Sequence, residues 1–242
     1  MNPRPKNPRP ANPRPVEPGP YHHGDLRRAL IAAALALVTE EQDWTFSLRE
    51  VARRAGVSQS APYNHFVDKR DLLAAVAVAG FHRLRDGLEA SVAGVHPATE
   101  AFGASARTYV RLGMENPALY RLMCGPELTA SKTVERPPDV AAAGGECKAI
   151  LERIIRQGAS SGEFAIPPAD AGALALATFA AWSAVHGMTM LIIDNLAGEH
   201  VAAQTAIETV IHVQLIGLRH GPAPSGCQAA APAGSGTRRQ KL

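Results

Sequence analysis

The segment FSLREVARRAGVSQSAPYNHFVDK, residues 46–69, has the pattern of two short helices joined by a glycine turn. The first helix is predicted by apolar residues at helical spacing: Leu48, Val51, Ala52 and Ala55. Ser47 and Glu50 can form a capping box at its start, since each side chain can satisfy an amide that the first turn leaves unpaired. Gly56 can adopt the positive φ at which a helix ends and the chain turns. The pattern indicates a helix-turn-helix, which places its second helix in the major groove of DNA.

The second helix is predicted from about residue 59 to residue 66, and its first residues are expected to meet base edges. Four of its side chains carry donors and acceptors suited to that contact: Gln59, Ser60, Asn64 and His65. Ala61 is small enough to touch a thymine methyl group or to let the backbone approach closely. Tyr63 and Lys69 are expected to contact phosphates, which positions a helix on DNA without reading its sequence.

Any helical bundle contains amphipathic helices that end at glycine, so packing alone remains an alternative explanation of this pattern. Four features favour DNA binding: the capping box, the Gly-Val-Ser corner, the aromatic pair Tyr63 and Phe66 that frames Asn64 and His65, and a second capped helix that starts at Asp68. An upstream helix ending near residues 40–43 can cover the corner with an apolar face formed by Leu26, Leu30, Ala33, Ala34, Leu37 and Val38. Downstream, Asp68 and Asp71 cap a connecting helix that ends near residues 90–94. Its apolar positions are Leu73, Val76, Gly80, Leu84 and Leu88.

Residues 21–85, with a Tyr-x-His-Phe ending and the Asp-Lys-x-x-Leu-Leu that follows it, resemble the DNA-binding domain of the TetR family of bacterial transcriptional repressors. The resemblance implies that Ser47 contacts phosphate and that Tyr63 and Lys69 hold the DNA backbone. It also implies a groove-facing set of Gln59, Ser60, Ala61, Asn64 and His65. Pro62 departs from the common family pattern. Because proline lacks an amide and clashes with the carbonyl four residues back, the recognition helix is expected to begin with a tight or shifted turn.

The net charge of +3 does not lie in the predicted globular part of the chain. Residues 22–91 carry nine basic and nine acidic side chains, and residues 92–218 carry eight and twelve. The excess of positive charge therefore lies at the two ends. The pI near 8.9 is weak support for nucleic-acid binding on its own, and the helix-turn-helix pattern carries that prediction.

Both ends of the chain are of low complexity, and neither has the layout of a secretory signal. Asn-Pro-Arg-Pro recurs within residues 2–15, which indicates either a cationic arm that contacts phosphate or a passive tail. The predicted organisation has four parts: a disordered Pro/Arg-rich tail at residues 1–20, a DNA-binding domain at 21–90, a helical effector-binding and dimerisation domain at 91–218, and a disordered tail at 219–242.

The C-terminal part reads as helices separated by loops, including a predicted mobile loop at residues 127–139. No strand-like alternation is present, so the predicted fold class is all-α: a three-helix helix-turn-helix domain followed by a larger helical domain, about nine helices in all. Residues 171–193 contain no Asp, Glu, Lys or Arg. We disfavour a membrane span because the segment is rich in alanine and carries hydroxyl and imidazole groups. Burial on both sides, against its own domain and a second subunit, is expected instead.

The last helix is predicted at about residues 199–218, with one apolar side formed by Ile207, Val210, Ile211, Leu215 and Leu218. The last two helices are therefore expected to form a homodimer interface with their symmetry mates, as the last two helices of TetR-family proteins commonly do. The sequence FAAWSAVHGMTMLIID further resembles the Trp-x-x-x-His-Gly segment of one C-terminal subclass of that family.

Trp182 and His186 lie four residues apart and share a helix face, so they are expected either to line an effector pocket or to lie in ordinary core. The candidate pocket residues are Phe102, Tyr109, Met114, Tyr120, Met123, Trp182 and His186. We expect no metal, because no second ligand-type side chain lies at ligand spacing on that helix, and no cofactor. The three cysteines, Cys124, Cys147 and Cys227, are too few for a disulfide framework and suit a reducing cytoplasm.

The phosphate-binding Gly-Lys-Ser/Thr and the metalloprotease His-Glu-x-x-His motifs do not occur. The string Gly-Ala-Ser-Ser-Gly at residues 158–162 matches Gly-x-Ser-x-Gly, but it lies at the end of a predicted helix and does not join a strand to a helix as a nucleophile elbow does. The sequence therefore predicts a cytoplasmic, non-enzymatic regulator of transcription. We expect a homodimeric repressor, not attached to a membrane, that binds double-stranded DNA at a palindromic operator and is released by a small-molecule effector. The alternative is an all-helical small-molecule-binding protein or enzyme in which the helix-turn-helix is only structural.

Overall fold

A computed structural model describes residues 23–128, 136–198 and 201–221, with side chains from residue 26 onward. Over these residues the chain forms eight α-helices, two short 3₁₀-helices and no strand. The α-helices are α1 (His23–Glu41), α2 (Leu48–Arg54), α3 (Lys69–Val92), α4 (Ala98–Glu115), α5 (Pro117–Cys124), α6 (Pro138–Ser161), α7 (Ala171–Ile193) and α8 (Ala203–His220). The 3₁₀-helices are Ala61–Asn64 and Pro126–Leu128. The predicted all-α fold class is confirmed, with eight α-helices in the described part where about nine are expected for the chain.

The helix-turn-helix differs from the prediction in its second helix. The expected α-helix over residues 59–66 is wrong, because the structure has only the 3₁₀-helix Ala61–Asn64 there. Pro62 explains the change. It has no amide to donate, and its carbonyl accepts from the amides of both His65, at 3.0 Å, and Phe66, at 2.9 Å. We call residues 59–66 the recognition segment.

The first helix of the motif forms with the Ser47 half of the predicted capping box. The Ser47 hydroxyl accepts a hydrogen bond from the Glu50 amide at 3.2 Å, and the Glu50 carboxylate pairs with Arg53. After α2, Gly56 adopts a φ of 69°, a left-handed conformation that turns the chain into the recognition segment. The corner is therefore held by local side-chain and backbone bonds as well as by packing.

Helix α3 joins the DNA-binding part to the rest of the molecule. Its start carries a reciprocal cap: Asp68 accepts from the Asp71 amide at 2.8 Å, and the Asp71 carboxylate accepts from the Val67 amide at 3.1 Å. Its predicted apolar positions, Leu73, Val76, Gly80, Leu84 and Leu88, are all buried. The helix packs against α1 near its start and against α4, α5 and α6 along its length. Because α3 runs unbroken to Val92, it crosses the boundary predicted at residue 90, and the domain limits stay a prediction.

Helix α7 begins and ends where the uncharged stretch predicts, with the Asp170 carboxylate accepting from the Ala173 amide at 2.9 Å. By length and composition it could cross a membrane, and it is the single such helix in the described part of the chain. In the structure it packs against α4, α6 and α8 through one face. The opposite face is exposed in the single chain and includes Leu176 and Phe179. The expected burial on a second side is therefore not provided by this subunit.

The apolar side of α8 faces its own subunit. Ile207, Ile211 and Leu218 are buried in the single chain, whereas Val213 and Ile216 on the other side of the helix are exposed. The expected assignment of the Ile207–Leu218 stripe to a subunit interface is therefore corrected. The stripe packs inward, and Val213 and Ile216 belong to the exposed side of the helix.

Several predictions fall on residues outside the described part. These are the N-terminal tail at 1–20, most of the C-terminal tail from residue 222 onward, Cys227, and residues 129–135 of the predicted mobile loop.

Candidate DNA-binding surface and effector cavity

The recognition segment presents a cluster of exposed polar side chains. Gln59, Ser60, Tyr63 and Asn64 are all exposed, with Tyr63 at 55%. These four residues belong to the set predicted from the sequence to contact DNA. They combine two amides, a hydroxyl and a phenol on about one and a half turns of chain, which suits groove and phosphate contacts.

Two other residues of that set are placed differently. Ala61 is 8% exposed, because the tight turn at Pro62 directs it inward, so it is withdrawn from the groove-facing group. His65 is half-buried at the end of the turn. The exposed residue that sequence reasoning missed is Val67, which is 90% exposed between the recognition segment and α3. An apolar side chain gave no signal for a DNA contact in the sequence.

Two of the three predicted phosphate contacts, Ser47 and Lys69, lie at helix starts, and the third, Tyr63, lies on the recognition segment. Ser47 is exposed, although its hydroxyl oxygen already accepts from the Glu50 amide. The Lys69 ammonium lies 5.2 Å from the centroid of the Phe46 ring, a cation–π distance. Partial burial lowers the pKa of Lys69, and the nearby Asp43 carboxylate opposes that effect. The aromatic ring thus holds the lysine at the start of α3, beside the recognition segment.

A cavity of about 410 Å³ lies between α3, α4, α6 and α7, partly open to solvent. Four residues of the candidate pocket set line it: Phe102, Tyr109, Trp182 and His186. Most of the remaining wall is apolar and comes from helices that the sequence did not assign to the pocket, including Phe81, Leu84 and Leu88 of α3 and Val140 and Leu151 of α6. The volume falls in the range of small-molecule sites in proteins.

One inner wall of the cavity holds a hydrogen-bonded cluster. The Tyr120 hydroxyl lies 2.7 Å from His186 Nδ1 and 3.0 Å from the Tyr109 hydroxyl. The Trp182 and His186 rings stack with centroids 5.5 Å apart. Burial raises the pKa of both phenols. Burial, aided by the charge of Arg136, lowers the pKa of His186, so its imidazole is neutral at neutral pH.

Three of the predicted pocket residues do not line the cavity. Tyr120 lies behind its wall and reaches it only through His186 and Tyr109. Met123 packs against α3, where a Cβ on Gly80 would come within 2.6 Å of its sulfur. Met114 is 40% exposed on a different face, so its assignment to the pocket is wrong. The presence of aromatic and methionine side chains in the sequence could not distinguish residues that line the cavity from residues packed elsewhere.

The cavity also contains polar residues that sequence reasoning missed. Arg136 and Lys148 line it with Cys124 and Cys147. Burial raises the pKa of Cys124 to about 11 and that of Cys147 to about 12, so both thiols stay protonated. Among the described residues, no group of three His, Cys, Asp or Glu side chains could hold a metal ion.

Two family profiles match this chain. Residues 30–76 match the profile described as bacterial regulatory proteins, tetR family, and residues 102–213 match the tetracyclin repressor-like C-terminal domain. The chain belongs to the TetR family. This TetR-family protein is a DNA-binding transcriptional regulator with a helix-turn-helix and a ligand-binding C-terminal part. The finer resemblance of its Trp-x-x-x-His-Gly segment to one subclass stays a prediction.

Solved structures share the fold of this TetR-family chain. A Rhodococcus sp. RHA1 protein of unknown function is 29% identical, with a TM-score of 0.68, over 84% of this chain and 100% of the other. The fatty acid degradation regulator FadR from Bacillus halodurans is 16% identical, with a TM-score of 0.62, over 80% and 96% of the two chains. FadR from Bacillus subtilis, solved in complex with stearoyl-CoA, is 17% identical, with a TM-score of 0.62, over 78% and 98%. A comparison with curated protein sequences found no match.

Proposed function

We propose that the protein is a cytoplasmic repressor that binds a palindromic operator as a homodimer and is released when a small-molecule effector occupies the cavity. The observation that carries this proposal is the path of α3. The helix begins at Lys69, beside the recognition segment, and its later residues Phe81, Leu84 and Leu88 line the cavity. A ligand that prefers one position of α3 would therefore favour one position of the DNA-binding corner. The proposal includes no catalytic step.

A second connection between the cavity and the DNA-binding part supports this coupling. The Arg70 guanidinium donates to the Leu128 carbonyl at 2.5 Å, and its Nε atom is buried without a hydrogen-bond partner among the described residues. Leu128 follows α5, whose last residue, Cys124, lines the cavity. A ligand that displaces the end of α5 would change the surroundings of Arg70 at the start of α3.

The exposed apolar face of α7 and α8 supports a homodimer. Leu176 is 65% exposed, Phe179 54%, Val213 56% and Ile216 44% in the single chain. Apolar side chains on adjacent parts of two packed helices form a self-complementary surface that a twofold axis can bury. We infer that this face pairs with its copy in a four-helix interface. Two recognition segments would then enter major grooves roughly 34–36 Å apart, or somewhat more, on one side of the duplex.

Fragments of the DNA upstream of the gene provide a direct test of DNA binding. We expect the purified protein to retard one such fragment in a gel in the presence of excess unrelated DNA. Failure to retard any upstream fragment under these conditions would favour the alternative of an all-helical binding protein whose helix-turn-helix is only structural. The stearoyl-CoA bound to B. subtilis FadR supports a small-molecule effector here without identifying it.

Substitutions at Asn64 and Lys69 should separate reading from positioning on that fragment. Asn64 is exposed on the recognition segment, so we expect Asn64→Ala to lose about 1–3 kcal/mol of discrimination at one base pair per half-site. Lys69→Ala should weaken binding to all DNA alike and reduce the salt slope by about one unit per subunit. Binding to an operator library at several salt concentrations measures both effects. Equal, sequence-independent losses for the two variants would contradict the assignment of Asn64.

A further inference from the structure

The charged groups that line the cavity are of one sign. Arg136 and Lys148 are both cationic, and no Asp or Glu belongs to the described lining. Lys148 is exposed and Arg136 is half-buried. Ala141 and Gly145 also line the cavity and are exposed on α6, the helix that carries Lys148. They mark the mouth of the cavity. A binding site of this kind attracts an anionic group to its opening.

Arg136 is held in place by the end of a helix. Its Nη1 donates to the Met123 carbonyl at 2.8 Å, and its Nη2 donates to the Cys124 carbonyl at 3.2 Å. These bonds, with a third from Nη2 to the Gly125 carbonyl at 3.5 Å, cap α5 and fix the guanidinium, and among the described residues Arg136 forms no ion pair with a carboxylate. Burial lowers the pKa of His186 and the Arg136 charge adds to that effect, whereas burial raises the pKa of Cys124 and the Arg136 charge partly opposes it.

The polar groups deeper in the cavity are satisfied by one another. Tyr109, Tyr120 and His186 share their hydrogen bonds, and the Cys147 thiol donates to the Phe81 carbonyl at 3.3 Å. Most of the rest of the inner wall is apolar, with Phe102 and Leu84 among its side chains, and Ser105 adds one buried hydroxyl group. The interior therefore suits an apolar group, whereas the two cationic side chains of the lining, Arg136 and Lys148, suit an anionic group.

We infer that the effector is an elongated apolar molecule with a single carboxylate, whose tail fills the cavity and whose carboxylate lies at Arg136 and Lys148. This inference rests on the proposed function, in which the cavity is the effector site. The volume of about 410 Å³ corresponds to roughly fourteen water molecules of liquid, which leaves room for a chain of medium length. Decanoate is a suitable probe, with decanol and methyl decanoate as neutral controls of equal chain length.

Calorimetric titration of the full-length protein tests the charge requirement. We expect decanoate to bind at least about tenfold more tightly than decanol or methyl decanoate, because only the acid forms charge-assisted hydrogen bonds at the mouth. Lys148→Glu should weaken decanoate about tenfold and change decanol by less than about twofold. The matched control is Ala149→Glu, which adds a negative charge at an exposed position of the same helix outside the cavity lining. Equal affinities for the acid and the alcohol would overturn the inference.

A neutral fluorescent dye, Nile red, separates this inference from the proposed function. A Cβ on Gly145 meets no heavy atom within 4 Å, so Gly145→Trp can fold and block the mouth, while Gly145→Ala leaves it open. We expect Nile red and decanoate to bind the wild type and Gly145→Ala but not Gly145→Trp. Binding of Nile red and decanol without a preference for decanoate would keep the cavity as a site and overturn the carboxylate. If Gly145→Trp still bound both Nile red and decanoate, the assignment of the cavity as the binding site would be overturned, and the inference with it.

Discussion

The substitution Phe179→Glu is expected to convert the protein to monomers and to lower its operator affinity by roughly 100-fold or more. Phe179 is 54% exposed in the single chain and lies on the apolar face that we propose as the dimer interface. A carboxylate there would be buried against an apolar partner surface, which costs several kcal/mol unless the subunits separate. Two separate subunits bind their half-sites independently, so they lose the gain in affinity that comes from linking the two binding events. This loss explains the expected size of the effect.

Sedimentation velocity and gel retardation measure the two effects together. Ala142→Glu is the matched control, since it places the same charge at an exposed position of α6 away from this face. It should remain dimeric and bind the operator as the wild type does. A Phe179→Glu protein that stays dimeric with unchanged affinity would rule out this interface. Ala181 and Ile211 are unsuitable for the test, because both are buried within their own subunit and a charge there would unfold it.

Replacing Gly158 by valine is expected to lower the free energy of unfolding by about 3 kcal/mol or more. A Cβ at this position would lie 2.3 Å from Cδ2 of the Phe164 ring, far inside van der Waals contact. The ring has little freedom to move, because Phe164 is 2% exposed and its amide donates to the Gly158 carbonyl at 3.0 Å. Accommodating the extra atoms requires a shift of the end of α6 relative to the chain that follows it.

Urea unfolding at a fixed protein concentration measures this change, since the stability of a dimer depends on concentration. The control is Gly145→Ala on the same helix, where the added methyl group meets open space. That variant should gain roughly 0.5–1 kcal/mol from the higher helix propensity of alanine. Equal unfolding midpoints for Gly158→Val and the wild type would show that Phe164 can move aside.

The sequence predicted the elements whose limits are set by local chemistry. Helix α7 matches its predicted bounds because Asp170 caps its start and Asp194 follows its end, with no charged residue between them. The start of α3 is similarly marked by Asp68 and Asp71. By contrast, the recognition segment contains only a 3₁₀-helix, because Pro62 alters the backbone hydrogen bonding of a short helix. The spacing of apolar side chains in the sequence does not reveal that change.

The cavity was less predictable because its wall is assembled from helices far apart in the chain. Trp182 and His186 could be placed together by their spacing on one helix. Arg136 and Lys148 could not, since single cations in a sequence usually lie in solvent and only the packing of α6 brings them to one opening. The same limitation explains the wrong assignment of Met114, whose apolar side chain is typical of pocket residues but lies on an outer face.

In the proposed mechanism, the dual position of α3 restricts how this regulator can change its ligand. Phe81, Leu84 and Leu88 shape the cavity, yet the helix that carries them also sets the position of Lys69. A substitution that enlarges the cavity from α3 would therefore alter operator affinity even without a ligand. We expect variants with a new ligand preference and an intact regulatory response to arise mainly from changes on α4, α6 and α7. Variants that no longer respond to any ligand should concentrate on the inward face of α3.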